Sequence, residues 1–420
     1  MNGNAVQLIG GKKQAIDAGD PIPIAEKFAT VGEIALIDLD AALSKGENTA
    51  IMKDILQIAP CRVGGGIRDV DTAIKWLDAG ASKVILGTAA TPEILKELPK
   101  ERVIAALDAR NDQVVVEGWT KTTNESVEDR MAELAEYVGG FLVTFVEREG
   151  RMGGLPIERA KQLSIAAGGA KLTVAGGVKT TDDVMLTDRI GVDAQVGMAL
   201  YTGALELADC FTAPLISDRP DGLWPTVVCD ERGVTLGLVY SNQESVRESI
   251  NTGTGVYYSR SRGGLWRKGQ ESGNTQQLLK IDTDCDRDAL RFTVRQAGSG
   301  FCHTGTQTCF GQAQGLSALE SIINTRIAQA VEGSYTSRLL NDPDLLQSKL
   351  IEESIELQQA TNKDEASHEA ADLIYFAMVR ALQLGSSLSD IERELDRRSI
   401  KVSRRPGNAK AITPLVTKGI

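Results

Sequence analysis

Short apolar runs alternate with amphipathic helical stretches through the first half of the chain. The runs are, in order, IALIDLD, CRVGGGI, KVILG, RVIAALD, FLVTFV, KLTVAGG and AQVG. Repeated strand and helix units of this kind are typical of a parallel sheet covered by helices. The pattern therefore predicts a β/α domain over residues 1–215.

An internal repeat refines that prediction. The stretch VGGGIRDVDTA starts at Val63 and VAGGVKTTDDV starts at Val174, about 110 positions later, and GASKVILGTA and GVDAQVGMA follow at nearly the same separation. A repeat of half the segment is what a duplicated half-barrel leaves in a sequence. We therefore expect an N-terminal (β/α)8 barrel.

The pattern changes after SDRPDG at 217–222, a polar stretch with Pro and Gly that is typical of a domain boundary. Residues 219–311 contain a predicted hairpin with its turn at 231–233, followed by further strands, and they predict a small mixed α/β domain. In residues 315–405 apolar positions recur at helical spacing, which predicts an all-α helical bundle. Residues 406–420 are expected to form a tail.

Composition and charge narrow the function classes. The chain of 420 residues has a net charge of −11, which disfavours binding to nucleic acid or to an anionic membrane surface. The sequence contains no apolar run of the roughly 18 residues that a membrane span needs, and no signal-peptide core is visible at its start. We expect a cytoplasmic protein that acts on small molecules.

Cysteine spacing indicates a metal site rather than disulfides. Six cysteines in 420 residues do not make a disulfide framework. Cys61, Cys210 and Cys229 are scattered and are expected to be buried small side chains. The other three, at 285, 302 and 309, lie close together in the sequence, which is typical of metal ligands in a reducing compartment.

Aspartates alternate with other residues in IDTDCDRDA at 281–289. If this stretch is a strand, Asp282, Asp284, Asp286 and Asp288 lie on one face and Cys285 on the other. Like charges side by side on a strand repel each other. The pattern therefore predicts a bound cation.

Glycines end four of the predicted strands in the first segment, in GGGI, LGT, AGGV and VGM. Glycine lets backbone N–H groups approach a ligand, and a helix N-terminus that follows favours anions. The repeat therefore predicts two phosphate sites at one barrel mouth. Their expected residues are Gly65, Gly66, Gly87, Thr88, Gly176, Gly177 and Gly197.

The motifs LIDLDAAL, VGGGIR, VILGTA, DARNDQVVVEGW, AGGV and VGMALYTG resemble the phosphoribosyl-formimino-aminoimidazole-carboxamide ribonucleotide isomerase of histidine biosynthesis. The substrate of that family carries a phosphate at each end. The family uses two catalytic aspartates. By alignment the chain begins just past the first, and Phe145 stands where the second belongs.

Three interpretations of the barrel stay open: an active isomerase using other residues, a binding module, or a structural platform. We expect the barrel to be catalytically inactive, because phenylalanine cannot transfer protons.

The motifs SRSRGGLWRKGQESGNTQ, DTDCDRDAL and CHTGTQTCF resemble phosphoribosyl-AMP cyclohydrolase. The resemblance implies zinc (Zn2+) bound by Cys285, Cys302 and Cys309, and magnesium (Mg2+) bound by Asp284, Asp286 and Asp288. It also implies a zinc site shared between subunits, and hence a homodimer. His303 is expected to act as general base, and Arg260, Arg267 and Lys268 are expected to contact the nucleotide. The chain departs from the family pattern at Asn274 and at 306–307.

In the third segment Glu353 and Glu356 are three residues apart on one predicted helix, and Glu369 and Asp372 on the next. Two such facing pairs form a carboxylate cage suited to Mg2+ carrying a polyphosphate. The stretches GSYTSRLL, KLIEESIEL and HEAADLIYF resemble phosphoribosyl-ATP pyrophosphohydrolase. The resemblance implies a catalytic role for both glutamates. The expected phosphate contacts are Ser334, Tyr335, Thr336, Arg338 and Lys349.

The order of the three segments resembles the front part of the fungal multifunctional histidine-biosynthesis protein. SDRPDGLW, TDCDRDALRF and KVSRRPGNAK carry this likeness. In that family a histidinol dehydrogenase domain follows, and the chain is expected either to lack it or to be cut before it. The predicted function is a bifunctional hydrolase of phosphoribosyl nucleotides. The alternative is a trifunctional enzyme with an active isomerase barrel.

Overall fold

The computed structural model describes residues 1–11, 13–116, 119, 121–329 and 333–403. Within these ranges no helix has both the length and the apolar character needed to cross a membrane. The predicted tail at 406–420 lies outside the described residues, as do residues 404 and 405 of the predicted helical segment.

The first segment alternates strands and helices as predicted. Its elements are β1 Ala5–Ile9, β2 Lys13–Gly19, α1 Pro21–Ala29, β3 Ile34–Ile37, α2 Leu39–Ala42, α3 Thr49–Ile58, β4 Cys61–Gly64, α4 Val70–Ala79, β5 Lys83–Leu86, α5 Pro92–Leu95, a 3-10 helix Lys100–Arg102, β6 Val103–Arg110, β7 Gln113–Val116, β8 Lys121–Ser126, α6 Val127–Leu134, β9 Gly140–Phe145, α7 Ile157–Ala166, β10 Lys171–Ala175, α8 Thr181–Arg189, β11 Asp193–Gln195, α9 Met198–Tyr201 and α10 Leu207–Thr212.

The sheet of this segment runs in the order β11-β10-β9-β6-β5-β4-β3, with every neighbouring pair parallel. Strands β7 and β8 extend from β6 as antiparallel strands. The predicted β/α class is confirmed, but the sheet differs from the expected eight strands. Among the described residues seven strands are parallel. Strands β1 and β2 pair with each other as an antiparallel hairpin, so residues 5–19 do not add a parallel strand.

The internal repeat is visible in two equivalent backbone contacts. Both Gly65 and Gly176 have positive φ. A Cβ atom at Gly65 would lie 2.2 Å from the carbonyl oxygen of Asp38, and one at Gly176 would lie 2.6 Å from that of Phe145. Only glycine allows such a close approach. The first glycine of each pair is therefore required for packing against the neighbouring strand end, whether or not a phosphate binds there.

The middle segment is a six-stranded mixed sheet with one helix. Its elements are β12 Trp224–Cys229, β13 Thr235–Ser241, α11 Gln243–Thr252, β14 Val256–Ser259, β15 Gly264–Arg267, β16 Gln276–Thr283 and β17 Leu290–Gln296. The order is β15-β14-β13-β12-β17-β16, in which only the β12–β17 pair is parallel. Tyr257 and Phe292 are fully buried between the sheet and α11 and their rings lie 5.3 Å apart. The predicted hairpin is β12–β13.

The third segment is helical, as predicted. Its elements are α12 Gly315–Ala328, α13 Tyr335–Asn341, α14 Pro343–Gln359, α15 Lys363–Gln383 and α16 Leu388–Ser399. Asp342 and Asn362 cap the N-termini of α14 and α15 by accepting hydrogen bonds from backbone N–H groups. A small core that includes Leu346, Phe376 and Val379 packs these two long helices together. Their facing surfaces carry the carboxylates described below.

Charged contacts join the middle and helical segments. Arg232, in the β12–β13 turn, pairs with Asp230 and with Glu320 of α12, and all three side chains are largely buried. The other carboxylate oxygen of Glu320 accepts a hydrogen bond of 2.7 Å from the backbone N–H of Leu388, at the start of α16. The middle and helical segments thus share a satisfied buried ion-pair network.

Candidate active sites

The acidic loop, residues 284–289, connects β16 to β17 and is not part of a strand. The expected ladder on a strand face is therefore wrong. The stretch forms a loop for a local reason. One carboxylate oxygen of Asp284 accepts hydrogen bonds of 3.1 Å from the backbone N–H groups of Asp288 and Ala289, which closes a turn. Asp282 stays within β16, paired with Lys280 and Arg291.

The turn nevertheless brings together the predicted cation ligands. Carboxylate oxygens of Asp284, Asp286 and Asp288 lie within 4.8 Å of one another. The hydrogen bond that a protonated Asp288 donates to Asp284, and the charge of Asp286, raise the pKa of Asp288. For Asp284 desolvation acts to raise the pKa, but hydrogen bonds from Ala289 and the neighbouring aspartates outweigh it and lower the pKa. Clustered hard oxygen ligands that repel one another fit a hard cation such as Mg2+.

Two of the three predicted zinc ligands form a pair, which we call the cysteine pair: Cys302 and Cys309. Hydrogen bonds from Thr304 lower the pKa of the Cys302 thiol to about 6, so it is a thiolate at neutral pH. Its Sγ lies 3.1 Å from Oγ1 of Thr304. Desolvation, and then the negative charge of Cys302, raise the pKa of Cys309. A cation between two adjacent sulfurs would stabilise both as thiolates.

The space for the cysteine pair comes from a glycine that the sequence pattern did not single out. A Cβ atom at Gly237 of β13 would lie 3.0 Å from Sγ of Cys309 and 2.5 Å from the ring of Phe301. No larger residue fits without moving one of them. The contact joins residues more than sixty positions apart, so sequence spacing gives no signal of it.

Lys268 lies beside the cysteine pair rather than on an open surface. Its side chain is buried, its Nζ donates to the carbonyl oxygen of Phe301, and it lies 4.6 Å from the centre of that ring. Burial lowers the pKa of Lys268, whereas the charges of Cys309 and Cys302 act to raise it. The lysine therefore supplies positive charge next to two sulfurs, in addition to any contact with a nucleotide.

The third predicted ligand, Cys285, is exposed in the acidic loop, with its Sγ 3.9 Å from a carboxylate oxygen of Asp286. In the described part of the chain, no group of three potential ligands within bonding reach combines Cys285 with the cysteine pair. His303 is exposed, and its Nδ1 lies 4.0 Å from Sγ of Cys302. One chain therefore assembles two of the three sulfurs.

The arginines predicted to contact the nucleotide lie near the same sheet edge. The Arg260 guanidinium lies 3.9 Å from the ring centre of Tyr240, and Arg219 lies 4.7 Å from it. Arg267 pairs with Glu248. Arginine stacked on an aromatic ring keeps its N–H groups directed sideways, where they can bind an anion.

The acidic cluster of the helical segment forms where the sequence predicted it. Glu352, Glu353 and Glu356 of α14 form one group of potential ligands within 4.8 Å, and His368, Glu369 and Asp372 of α15 form another. Burial, and then the charge of Glu369 across the helix pair, raise the pKa of Glu356. The two helices thus direct their carboxylates at each other. Glu352 and His368 were not predicted, although each adjoins a predicted ligand and lies four residues from another.

Lys349 is bound by these carboxylates. Its Nζ lies 2.7 Å from an oxygen of Glu352 and 3.2 Å from one of Glu353, and these contacts raise the pKa of Lys349. Among the other predicted phosphate contacts, Ser334 caps α13 and Thr336 lies 2.9 Å from the hydroxyl of Tyr375. Tyr335 and Arg338 are exposed near the same helix start.

The predicted phosphate sites of the barrel differ from each other. Gly87 and Thr88 are exposed, and no atom approaches a Cβ position at Gly87 within 4 Å. A Cβ atom at Gly197, however, would lie 3.0 Å from the side-chain oxygen of Gln7, so β1 lies over that end of the mouth. Phe145 is buried in the core. Burial raises the pKa values of Asp108 and Glu149, which also repel each other there.

Three family models match the chain in succession. Residues 1–206 match the model described as "Histidine biosynthesis protein", residues 237–311 match "Phosphoribosyl-AMP cyclohydrolase", and residues 316–399 match "Phosphoribosyl-ATP pyrophosphohydrolase". The histidine biosynthesis bifunctional protein HisIE of Pyrococcus furiosus is 38% identical over 196 residues, which are 43% of this chain and 93% of that protein. The chain belongs to the histidine biosynthesis multifunctional proteins.

Fungal relatives of this family cover other parts of the chain. A histidine biosynthesis bifunctional protein of Schizosaccharomyces pombe is 54% identical over 206 residues, 49% of each chain. The histidine biosynthesis trifunctional protein of Neurospora crassa is 39% identical over 351 residues, 82% of this chain and 38% of that protein. The chain thus spans about half the length of the first and less than half of the second.

The two sets of potential ligands lie in ranges that match different family models. The acidic loop and the cysteine pair lie within the cyclohydrolase match, and both acidic groups of α14 and α15 lie within the pyrophosphohydrolase match. The two sites share no residue.

Proposed function

We propose that the chain is a bifunctional hydrolase of histidine biosynthesis. The helical segment hydrolyses phosphoribosyl-ATP to phosphoribosyl-AMP and pyrophosphate, and the middle segment then opens the adenine ring of phosphoribosyl-AMP. The observation that carries the proposal is the presence of two chemically different ligand sets in two segments. One combines thiols with a carboxylate loop, and the other is a set of carboxylates on facing helices.

The cysteine pair suits zinc. Thiolates are preferred zinc ligands, and Cys302 is already ionised at neutral pH. If zinc is bound by these sulfurs, it would supply an activated water for attack on the ring carbon. We propose Cys285 of a second copy as the third ligand, which accounts for its separation from the cysteine pair and implies a homodimer.

The chain's own residues would transfer protons and hold the substrate. His303 adjoins Cys302 and is exposed, so its imidazole can take a proton from the attacking water and deliver it to the ring nitrogen that leaves. Arg260 beside Tyr240 supplies charge for the substrate phosphate. The acidic loop would hold Mg2+ near this site.

In the helical segment, the carboxylates of Glu352, Glu353 and Glu356, with Glu369 and Asp372, would hold Mg2+. Magnesium held by these carboxylates would supply positive charge for the polyphosphate of the substrate. When magnesium and substrate bind, Lys349 can exchange its contact with Glu352 for a phosphate oxygen. We propose that the release of pyrophosphate depends on Glu353 and Glu356.

We propose that the barrel binds phosphate groups without isomerase activity. Phe145 is buried and has no exchangeable proton, and the glycine turns need only backbone N–H groups to bind anions. Calorimetry with the isomerase substrate, set beside a turnover assay on the full chain, tests this directly. Robust turnover would favour a trifunctional enzyme, with Asp108 or Glu147 as substitutes for the aspartates. Absence of binding at millimolar ligand would leave a structural platform.

The bifunctional proposal is tested by giving the purified chain phosphoribosyl-ATP with Mg2+ and Zn2+. We expect pyrophosphate to appear first and the ring-opened product to follow. With zinc removed by a chelator, phosphoribosyl-AMP should accumulate. If neither product forms although both metals bind, the proposal is wrong. A cytoplasmic, reducing location is proposed with it, on the support that all six cysteines are free thiols.

A further inference from the structure

The acidic loop is held from outside its own domain. Arg287 lies between Asp286 and Asp288, and its guanidinium donates to Oδ1 of Asp188 at 2.6 Å. Asp188 belongs to α8 of the barrel. The carbonyl oxygen of Arg287 accepts a hydrogen bond of 2.9 Å from the backbone N–H of Ile216, in the connection between the two segments. The remaining side-chain contact, to Oγ1 of Thr283, is the one made within the middle domain.

The backbone of Arg287 needs such support. Its φ of 68° lies in the left-handed region, which residues with a Cβ atom adopt rarely and retain only when their surroundings enforce it. This conformation turns the chain between Asp286 and Asp288, so that both carboxylates follow Asp284 around the loop. Two of the contacts that fix the turn come from the barrel and from the linker.

We propose that Asp188 is a positioning residue for the acidic loop, and that the barrel thereby supports cation binding by the cyclohydrolase domain. The inference rests on the proposed Mg2+ site in this loop. It gives the barrel a role that is independent of isomerase chemistry and of phosphate binding. Through the Arg287 side chain, Asp188 acts on the loop without contacting the cation.

An ordinary surface ion pair is the alternative. The Asp188 and Arg287 side chains are 28% and 39% exposed, and pairs at that exposure add little to global stability. A positioning role differs because losing the ion pair would change mainly the order of the acidic loop and its affinity for a cation. The readout must therefore be local order and cation affinity, rather than the melting temperature of the whole chain.

The test compares Asp188→Asn with Asp182→Asn in the full, metal-free chain. Both changes remove one carboxylate from α8, but Asp182 is exposed, and among the described residues the ion pair of Arg287 is with Asp188. Hydrogen exchange of residues 284–289 reports loop order, and calorimetry with Mg2+ alone reports affinity. Asp188→Asn should speed exchange and weaken Mg2+ binding by about two- to fivefold, as expected for loss of a half-exposed ion pair. Asp182→Asn should change neither.

A second pair of variants guards against a general effect on folding. Asp188→Glu keeps the charge and should restore much of the loop order. Arg287→Gln should cause less loss in Asp188→Asn than in the wild-type chain, because the contact with Asp188 is already absent and only the contact with Thr283 remains to be lost. Exchange in β6 and β9 should be unchanged in every variant.

The outcomes separate this inference from the proposed function. If Asp188→Asn leaves loop exchange unchanged while the wild-type chain binds Mg2+, the positioning role is wrong and the proposed cation site stands. If the wild-type chain binds no Mg2+ but Asp188→Asn still speeds exchange, the cation assignment is wrong and the loop is nevertheless held by the barrel.

Discussion

The middle and helical segments assemble their ligand sets in different ways. In the helical segment two neighbouring helices of one chain supply Glu353 and Glu356 opposite Glu369, and Glu356 already contacts Glu369. In the middle segment Cys302 and Cys309 meet, while Cys285 lies on another loop. The helix pair places its carboxylates within one chain, whereas the zinc site that we propose for the sheet domain would need Cys285 from a second copy.

The largest expected effect comes from the cysteine pair. Cys302→Ser should release zinc and abolish ring opening, because a serine hydroxyl is not ionised at neutral pH and is a poor zinc ligand. Pyrophosphate release should be unchanged, since the helical site shares no residue with it. Zinc content and the two separate assays measure this.

The control is Cys229→Ser, a buried cysteine of the same domain that lies outside the proposed ligand set. It should keep both activities. Equal loss of both activities in Cys302→Ser would show that the two segments act as one cooperative unit.

The next effect concerns the helical site. Glu353→Gln combined with Glu356→Gln should reduce pyrophosphate release by at least about 100-fold, the scale of losing groups that position and activate a reacting water. Phosphoribosyl-AMP supplied directly should still be hydrolysed. Asp344→Asn, on an exposed first-turn position of α14, is the matched control. Near-normal turnover of phosphoribosyl-ATP by the double variant would show that these carboxylates are only surface groups.

A smaller effect is expected at Gly237. Gly237→Ala places a methyl group against Phe301 and Sγ of Cys309, which should destabilise the middle domain by about 1–3 kcal/mol and weaken zinc binding. Denaturant unfolding and zinc retention measure the two effects. Gly264→Ala in the same domain, where no atom lies within 4 Å of the new group, should be nearly neutral. Comparable stability of both variants would mean that the cysteine pair is not tightly packed.

The smallest expected effect is a change in how steeply zinc affinity depends on pH. Cys302 has a pKa lowered to about 6 from an ordinary value of 9.0, so its thiolate contribution is fully present above pH 9 and is lost as the pH falls through about 6. Between these values Cys302 releases no proton on binding zinc, whereas Cys309, with its raised pKa, still does. Zinc affinity measured by competition should therefore fall more steeply with acid below about pH 6. A uniform slope from pH 5 to 9 would contradict the assignment.

The sequence predicted which carboxylates of the helical segment lie together, because helical spacing is rigid. Residues three apart on a helix share a face, and Glu353 and Glu356 do lie within 4.8 Å of each other on α14. Alternation is less specific: the aspartates at 284, 286 and 288 have the spacing of a strand, but backbone N–H groups donate hydrogen bonds to Asp284 and close a loop instead. Those bonds depend on a left-handed Arg287, which spacing does not reveal.

One strand pairing and several contacts between distant residues account for what the sequence left out. Strands β1 and β2 pair with each other and not with the parallel sheet. The parallel sheet therefore has seven strands in the described residues, where the repeat predicted eight. Gly237 and Lys268 surround the cysteine pair from distant strands, and Asp188 contacts the acidic loop from the barrel. None of these pairings has a periodicity, because each is fixed by how the segments pack.

Subunit complementation tests most directly the claim that one site is shared and the other is not. Heterodimers of Cys285→Ser with Cys302→Ser chains, isolated through two affinity tags, should regain about half of the wild-type ring-opening activity, since one of the two symmetric sites keeps all three sulfurs. Heterodimers of Glu353→Gln with Glu369→Gln chains should regain no pyrophosphate release, because each chain carries one damaged site. Failure of the cysteine heterodimers to regain activity, or recovery by the glutamate heterodimers, would contradict this division of the two sites.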